Sequence, residues 1–370
     1  MSFPSGMEVK PLLASLSEYQ RRSQKMESRS RAMPMSKVTP PSGLEARTVD
    51  EFLSLFEDQL FKSLEKAYKL EHKIYHSVED KSVISTLCED VYTMVNTQLD
   101  LVHEFVKLKK IEKTDTGAQL VMSTLLSIIR NLQKLQLEHR DSFLVDLKSS
   151  CAAANDLMRM IECFNHATER VNRRYPGLKL GPLNKRVVNY HGNAASADVI
   201  ERESSDLEEL YTKHATYAAE KSHTFLMEVI RDSSIQQELF SRKWEDDLSS
   251  EVAISIVMTS KDFLDDCHSF LHRTFLYSKL VGAVIRSIVC FYVQSFLRKA
   301  RQLKKKLNPL VPKEHSFANP RQVVSRMMND IEVFRAFFYH LVKQMPQLSA
   351  LVEKEISVLM LFHDCLMAAT

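Results

Sequence analysis

The chain has 370 residues, 44% of them hydrophobic and 26% charged, which is enough apolar sequence for one large or two ordinary domains and excludes a disordered chain. Its 50 basic residues against 47 acidic ones give a formal charge of +3, too balanced to argue for nucleic acid, so any site for an acidic partner must be local. Only 7 glycines and 11 prolines are present, and Pro4, Pro11, Pro34, Pro40 and Pro41 all fall before residue 48, leaving the remainder free to form long helices.

Residues 1–47 are rich in Ser, Met, Pro and base, with Arg21, Arg22, Lys25, Arg29 and Arg31 and little to bury, and they read as a disordered tail. A basic membrane-contacting arm is the sharper reading. An organelle transit peptide is disfavoured by Glu18 and Glu27, and no apolar stretch near the start resembles a secretory signal.

From residue 48 the periodicity is helical. Thr48 and Glu51 have capping-box spacing, and Phe52, Leu55, Phe56, Leu60 and Leu64 trace one face to about residue 77. A second helix is expected over 81–113, with Val83, Ile84, Leu87, Val91, Met94 and Leu101 inward. A third follows over 116–140 and a fourth through Leu144, Leu147, Leu157, Met160, Ile161 and Phe164. Short polar turns between them predict a first antiparallel bundle over 48–175. Pro176, Gly177, Gly181, Pro182 and Gly192 mark a linker over 176–197.

A second bundle is predicted over 198–306, through Leu207, Tyr217, Phe225 and Ile230, a short helix over 235–244, and two helices over 251–272 and 275–306. A loop over 307–320 holds Pro309, Pro312 and Pro320 and precedes a C-terminal helical pair over 321–370. Asn319 before Pro320 reads as an N-cap with proline at the first helical position. No strand signal lasts beyond a few residues. The predicted fold is all-α without a sheet, and helices of about 45 Å, at 1.5 Å per residue, favour bundles stacked into an elongated rod. Leu280–Leu297 is long enough to span a membrane, but Lys279, Arg286, Ser287, Gln294 and Arg298 share one stripe, which suits a helix buried on most sides of a bundle.

Few patterns carry chemistry. Six cysteines, Cys88, Cys151, Cys163, Cys267, Cys290 and Cys365, are scattered without a CxxC and read as buried, reduced thiols. Asp262, Asp265 and Asp266 lie on one helical stripe and read as a solvated face, since a cation site needs carboxylates converging from different segments. His268 with His272, and His72 with His76, have zinc-compatible spacing but lack the HExxH glutamate and a third ligand. No GxSxG, Walker loop or GxGxxG occurs, so the reading is a non-enzymatic chain without cofactor or metal. The aromatic stripe Phe334, Phe337, Phe338 and Tyr339 reads as core, and Trp244 as the anchor of a short helix. One basic group stands out: Arg298, Lys299, Arg301, Lys304, Lys305 and Lys306, with no acid among them. Cations favour a helix C-terminus, but six in nine residues exceed that need and suit an acidic partner or an anionic membrane surface.

The order Leu239-Phe240, Trp244, then Thr259, Asp262, Phe263 and Asp265, then Tyr292 with Phe296-Leu297, then Asp330, Phe334, Phe337 and Phe338 resembles the C-terminal half of the Sec-six (exocyst complex component 3) family of exocyst subunits. The resemblance is strongest over about residues 215–340, extends more loosely over 48–214, including Ala154-Asn155-Asp156, and is absent before 48. Phe263 stands where the family favours tyrosine, and the family's N-terminal portion has no counterpart. All these residues are packing positions in the resemblance. It implies a cytoplasmic helical rod, peripherally associated with the plasma membrane or secretory vesicles. Such a rod tethers vesicles before SNARE-mediated fusion through other exocyst subunits, SNARE proteins or phosphoinositides. No nucleic acid or small-molecule substrate is implied. The alternative is a stand-alone exocyst-component-3-like regulator of membrane protrusion or traffic. A helical enzyme would require buried polar side chains converging between helices.

Overall fold

The computed structural model describes residues 48–70, 75–77, 82–112, 115–142, 144–175, 194–246, 249–305, 317 and 319–369. In chain order these form α1 (Val49–Leu70), β1 (Tyr75–Ser77), β2 (Val83–Ser85), α2 (Leu87–Leu108), α3 (Asp115–Glu138), α4 (Leu147–Arg174) and α5 (Ala194–Lys221). There follow α6 (His223–Asp232), α7 (Ser234–Glu238), α8 (Arg242–Asp246), α9 (Glu251–Phe270), α10 (Thr274–Lys305), α11 (Pro320–Gln344), a 3-10 turn (Pro346–Leu348) and α12 (Ser349–Ala369). The chain divides into two units, Met1–Leu55 and Phe56–Thr370. Of the first, the structure describes the opening of α1, where the Glu51 N–H donates to Thr48 Oγ1 at 3.1 Å. The tail reading for 1–47 lies outside the described residues, as do 176–193 of the linker and 307–316 and 318 of the loop.

The fold is all-α as expected, and one small two-stranded hairpin stands where helix was expected through 77 and from 81. β1 and β2 pair antiparallel, with Tyr75 opposite Ser85 and Ser77 opposite Val83. The cause lies in α4. The Ser85 N–H donates to the Asp156 carboxylate at 3.1 Å, and Asn155 Nδ2 donates to the Val83 carbonyl at 2.7 Å. Those side chains satisfy backbone groups that would otherwise belong to a helical turn, and β-branched Val83 and Ile84 accept the extended conformation readily. Ala154-Asn155-Asp156 lies in the interior of α4. That helix starts at a capping box, in which Asp146 accepts from the Ser149 N–H at 2.8 Å and Ser149 Oγ accepts from the Asp146 N–H at 3.1 Å.

Packing within Phe56–Thr370 is organised around α4, α5 and α10. α4 packs on α2 and α5, and α3 packs on both α2 and α5. α5 also lies against α10, which contacts α6, α9 and α12, while α11 packs on α9 and α12. Leu280, Val284, Ile285 and Ile288 of α10 are fully buried, each contributing about 1.5–3 kcal/mol relative to exposure. Among the described residues α10 is the one helix long and apolar enough to cross a membrane. Its polar stripe faces out: Lys279, Arg286, Gln294 and Arg298 are exposed, and Arg286 pairs with Glu220 of α5 at 3.6 Å. Gly282 allows the close approach of α12, since a Cβ there would sit 3.1 Å from Leu351 Cδ2. Cys88, Cys151 and Cys267 are buried and Cys163 half-buried, whereas Cys290 and Cys365 are exposed, contrary to the reading of uniformly buried thiols.

Candidate functional site

The chain breaks between α7 and α8 because Phe240 adopts a left-handed conformation (φ 61°), which turns Leu239 and Phe240 inward. Ser241 Oγ then accepts from the Trp244 N–H at 3.3 Å, capping α8. Trp244 is fully buried and sits edge-on to Phe240, with ring centroids 4.7 Å apart. Phe240 also meets Tyr292 at 5.0 Å and Phe296 at 5.2 Å, and Tyr292 meets Phe334 at 5.3 Å. Such tilted aromatic contacts add about 0.5–1.5 kcal/mol each beyond their buried area.

Inside this aromatic cluster lies a buried carboxylate. Asp330 Oδ2 accepts from Trp244 Nε1 at 2.8 Å and from the Tyr292 hydroxyl at 3.0 Å. Arg326, one turn earlier on α11, approaches Asp330 Oδ1 at 3.6 Å. Its Nε donates to the Trp244 carbonyl at 3.2 Å and its Nη1 to Ser250 Oγ at 2.6 Å. Burial pushes the Asp330 carboxyl upward, against the indole, guanidinium and phenol that favour its charged form. Burial and then the neighbouring carboxylate push the Tyr292 hydroxyl well up. Beside this group, buried Glu245 accepts from the Asn319 N–H at 2.9 Å, and Asn319 caps α11 as its sequence position predicts.

These are buried polar side chains converging between helices, as a helical enzyme would require. The arrangement is closed, however. Trp244, Tyr292 and Asp330 are all 0% exposed, and none of them lines either of the best-formed cavities, of about 10 and 20 Å³. A group sealed in this way joins α8, α10 and α11 and offers no place for a substrate. Among the described residues, no set of three His, Cys, Asp or Glu side chains is placed to hold a metal ion.

The family-like residues divide. Leu239, Phe240, Trp244, Tyr292, Asp330, Phe334, Phe337 and Phe338 are all buried. Thr259 and Phe263 are half-buried on α9, and Asp262 and Asp265 are exposed, so these two carboxylates are not packing positions. Sequence reasoning missed Arg326, Ser250 and Glu245. The signal for Arg326 was its i, i+4 spacing from Asp330, an ion-pair geometry on an otherwise apolar face. A second polar group was equally missed: Asn155 Nδ2 donates to the Phe270 carbonyl at 2.7 Å and its Oδ1 accepts from the His272 N–H at 2.9 Å, pinning the corner between α9 and α10.

The basic end of α10 lies just beyond the aromatic cluster. Phe296 is buried, stacked on Phe317 at 5.7 Å and edge-on to Phe362 at 5.4 Å, while Leu297 is 42% exposed. Arg298 is exposed and Lys299 half-buried. With the Gln236 amide oriented to suit its neighbours, its oxygen accepts from Arg298 and its nitrogen donates to the Arg231 carbonyl. Arg301, Lys304 and Lys305 occupy the last turns of the helix, with side chains outside the described residues, and Lys306 lies wholly outside them. Cations in these turns complement the helix dipole.

Long helices packed through buried aromatic and polar cross-links define an all-α helical-bundle protein. No protein-family model matches the chain, and no curated protein sequence matches it. Among solved structures, the crystal structure of the C-terminal domain of the exocyst subunit Sec6p is similar, with a TM-score of 0.58 at 14% identity, covering 85% of this chain and 76% of that one. The chain therefore has the fold of the Sec6p C-terminal domain.

Proposed function

We propose that this chain is a non-enzymatic subunit of an exocyst-type tethering complex, aiding the docking of secretory vesicles at the plasma membrane. The observation that carries this reading is the fold shared with the Sec6p C-terminal domain over 85% of the chain. In this reading the protein is cytoplasmic, associates peripherally with membrane, and works through contacts with other exocyst subunits and SNARE proteins. The basic run Arg298, Lys299, Arg301, Lys304, Lys305 and Lys306 at the end of α10 and just after it is its anionic-partner site, for acidic protein surface or phosphoinositide headgroups. Each cation close to an anionic membrane contributes about 1 kcal/mol. At 14% identity the assembly surfaces are free to differ from those of Sec6p, which favours as a second reading a stand-alone membrane-binding regulator.

Affinity purification from cells followed by mass spectrometry separates the two. Co-purification of large helical exocyst subunits supports the tethering reading; their absence, with vesicle binding retained, selects the regulator. For the basic site, the triple reversal Arg298→Glu, Arg301→Glu, Lys305→Glu should abolish sedimentation with phosphoinositide liposomes and SNARE pull-down, with the melting temperature unchanged. Binding by the unmodified protein should weaken as salt rises, because exposed charges are screened over about 8 Å at physiological ionic strength. If the triple variant binds both, the contact surface lies elsewhere.

A further inference from the structure

We propose that Cys88 and Cys163 form a modification site, an oxidisable dithiol whose substrate is a small hydroperoxide and whose product is a disulfide joining α2 to α4. The two Sγ atoms are 3.8 Å apart although the residues are separated by 75 positions in sequence. A disulfide brings its sulfurs to about 2 Å, so the two have less than about 2 Å left to close. The pair borders a cavity of about 20 Å³, whose walls include Met160, Phe164 and Tyr211. A space of that size takes about one water-sized molecule.

The two thiols have different roles. Cys88 is 1% exposed, and its neighbouring thiol and burial both disfavour its thiolate. Cys163 is half-buried, and Arg159, one turn back on α4, is drawn toward Glu89 of α2 at 4.0 Å. A guanidinium beside the pair favours a thiolate. Cys163 is therefore the sulfur that meets peroxide. Its thiolate attacks one peroxide oxygen, the O–O bond breaks, and the departing hydroxide takes a proton to become water, leaving a sulfenic acid. Cys88 then gives up its proton and attacks the Cys163 sulfur. The S–O bond breaks, and the second hydroxide leaves with that proton as water. Two thiols lose two electrons to one hydrogen peroxide, which becomes two waters.

The chain contains its own comparison. Cys151 of α4 and Cys267 of α9 are also paired, through a thiol hydrogen bond, but both are 0% exposed. Proximity is present there and access is not.

The test uses the full-length reduced protein treated with hydrogen peroxide, then denatured in alkylating agent, digested and analysed by mass spectrometry. The expected product is a Cys88–Cys163 cross-linked peptide two hydrogens lighter than the free pair, with Cys151 and Cys267 alkylated. It should form equally in the Cys290→Ser/Cys365→Ser variant, which removes the two exposed thiols, and be absent in Cys163→Ser. Cys163→Ser must melt like the parent in reductant; if it does not, Cys163→Ala takes its place. Oxidised parent should melt several degrees higher than reduced parent, because the cross-link restricts the unfolded chain. Two results overturn the proposal: alkylatable Cys88 and Cys163 when Cys290 and Cys365 are already oxidised, or cross-linking of Cys151–Cys267 to the same extent.

Discussion

Asp330 and Asp156 are both buried carboxylates, yet the two regions satisfy them with different kinds of donor. Asp330 accepts from an indole and a phenol and has a guanidinium beside it, all carried by side chains on α8, α10 and α11. Asp156 accepts from the backbone N–H and the hydroxyl of a single residue, Ser85, with the charge of Arg159 also favouring its ionised form. The first arrangement holds large rings in place and makes their packing conditional on one carboxylate. The second fixes backbone, and its carboxyl is pushed up by burial to about 7, in spite of the Ser85 donors. Burial raises both carboxyls, opposed by side-chain donors from three helices at Asp330 and mainly by one serine at Asp156.

The largest expected effect tests the side-chain arrangement. Trp244→Ala should destabilise the fold by about 3–5 kcal/mol, the cost of deleting a buried large aromatic, and it also removes a donor from Asp330. Denaturant unfolding measures this, and an unchanged midpoint would show that Asp330 and the rings pack independently of the indole.

The next effect tests the backbone arrangement through pH. Asp156 has a folded pKa of about 7 against an ordinary 3.8, so the folded chain holds a proton that the unfolded chain has released. This contribution to stability is fully present below about pH 4 and is lost as pH rises to about 7, a swing of up to about 4 kcal/mol at 1.36 kcal/mol per unit. Asp156→Asn should flatten the decline in stability between pH 5 and pH 7.5. Equal slopes in parent and variant would show that the carboxylate is charged in the fold.

The smallest effect concerns α9. Asp262→Asn with Asp265→Asn should change stability by no more than about 0.5 kcal/mol, because both side chains are exposed. A loss of 2 kcal/mol or more would restore them as packing positions.

The difference between the two regions also explains what the sequence disclosed. Tyr292 and Asp330 were singled out through the resemblance, whereas Trp244 and Phe334 were legible because large rings in apolar helical patterns mark a buried face before any fold is known. Most helices were legible for the same reason, as were the Asn319 cap and the outward stripe of α10. Asn155 and Asp156 were noticed only as part of a resemblance, since their partners are the Val83 and Phe270 carbonyls and the Ser85 and His272 N–H groups. Backbone groups leave no side-chain signature, so the hairpin they stabilise was read as the end of one helix and the start of the next. For Asp262 and Asp265 the helical spacing alone pointed to a solvated face, in keeping with their exposure, and the packing role came only from the resemblance.

The amide of Asn155 has a kinetic consequence. One side chain touches residues 72, 115 and 117 positions away, one partner on the hairpin and two at the corner that opens α10. Contacts of such long sequence separation are reached late and slow the search for the native topology. Once made, they link the opening of the hairpin to the opening of the corner. Amide protons in β2 and at the start of α10 should therefore exchange with solvent in one cooperative event, although more than 180 residues of chain lie between them.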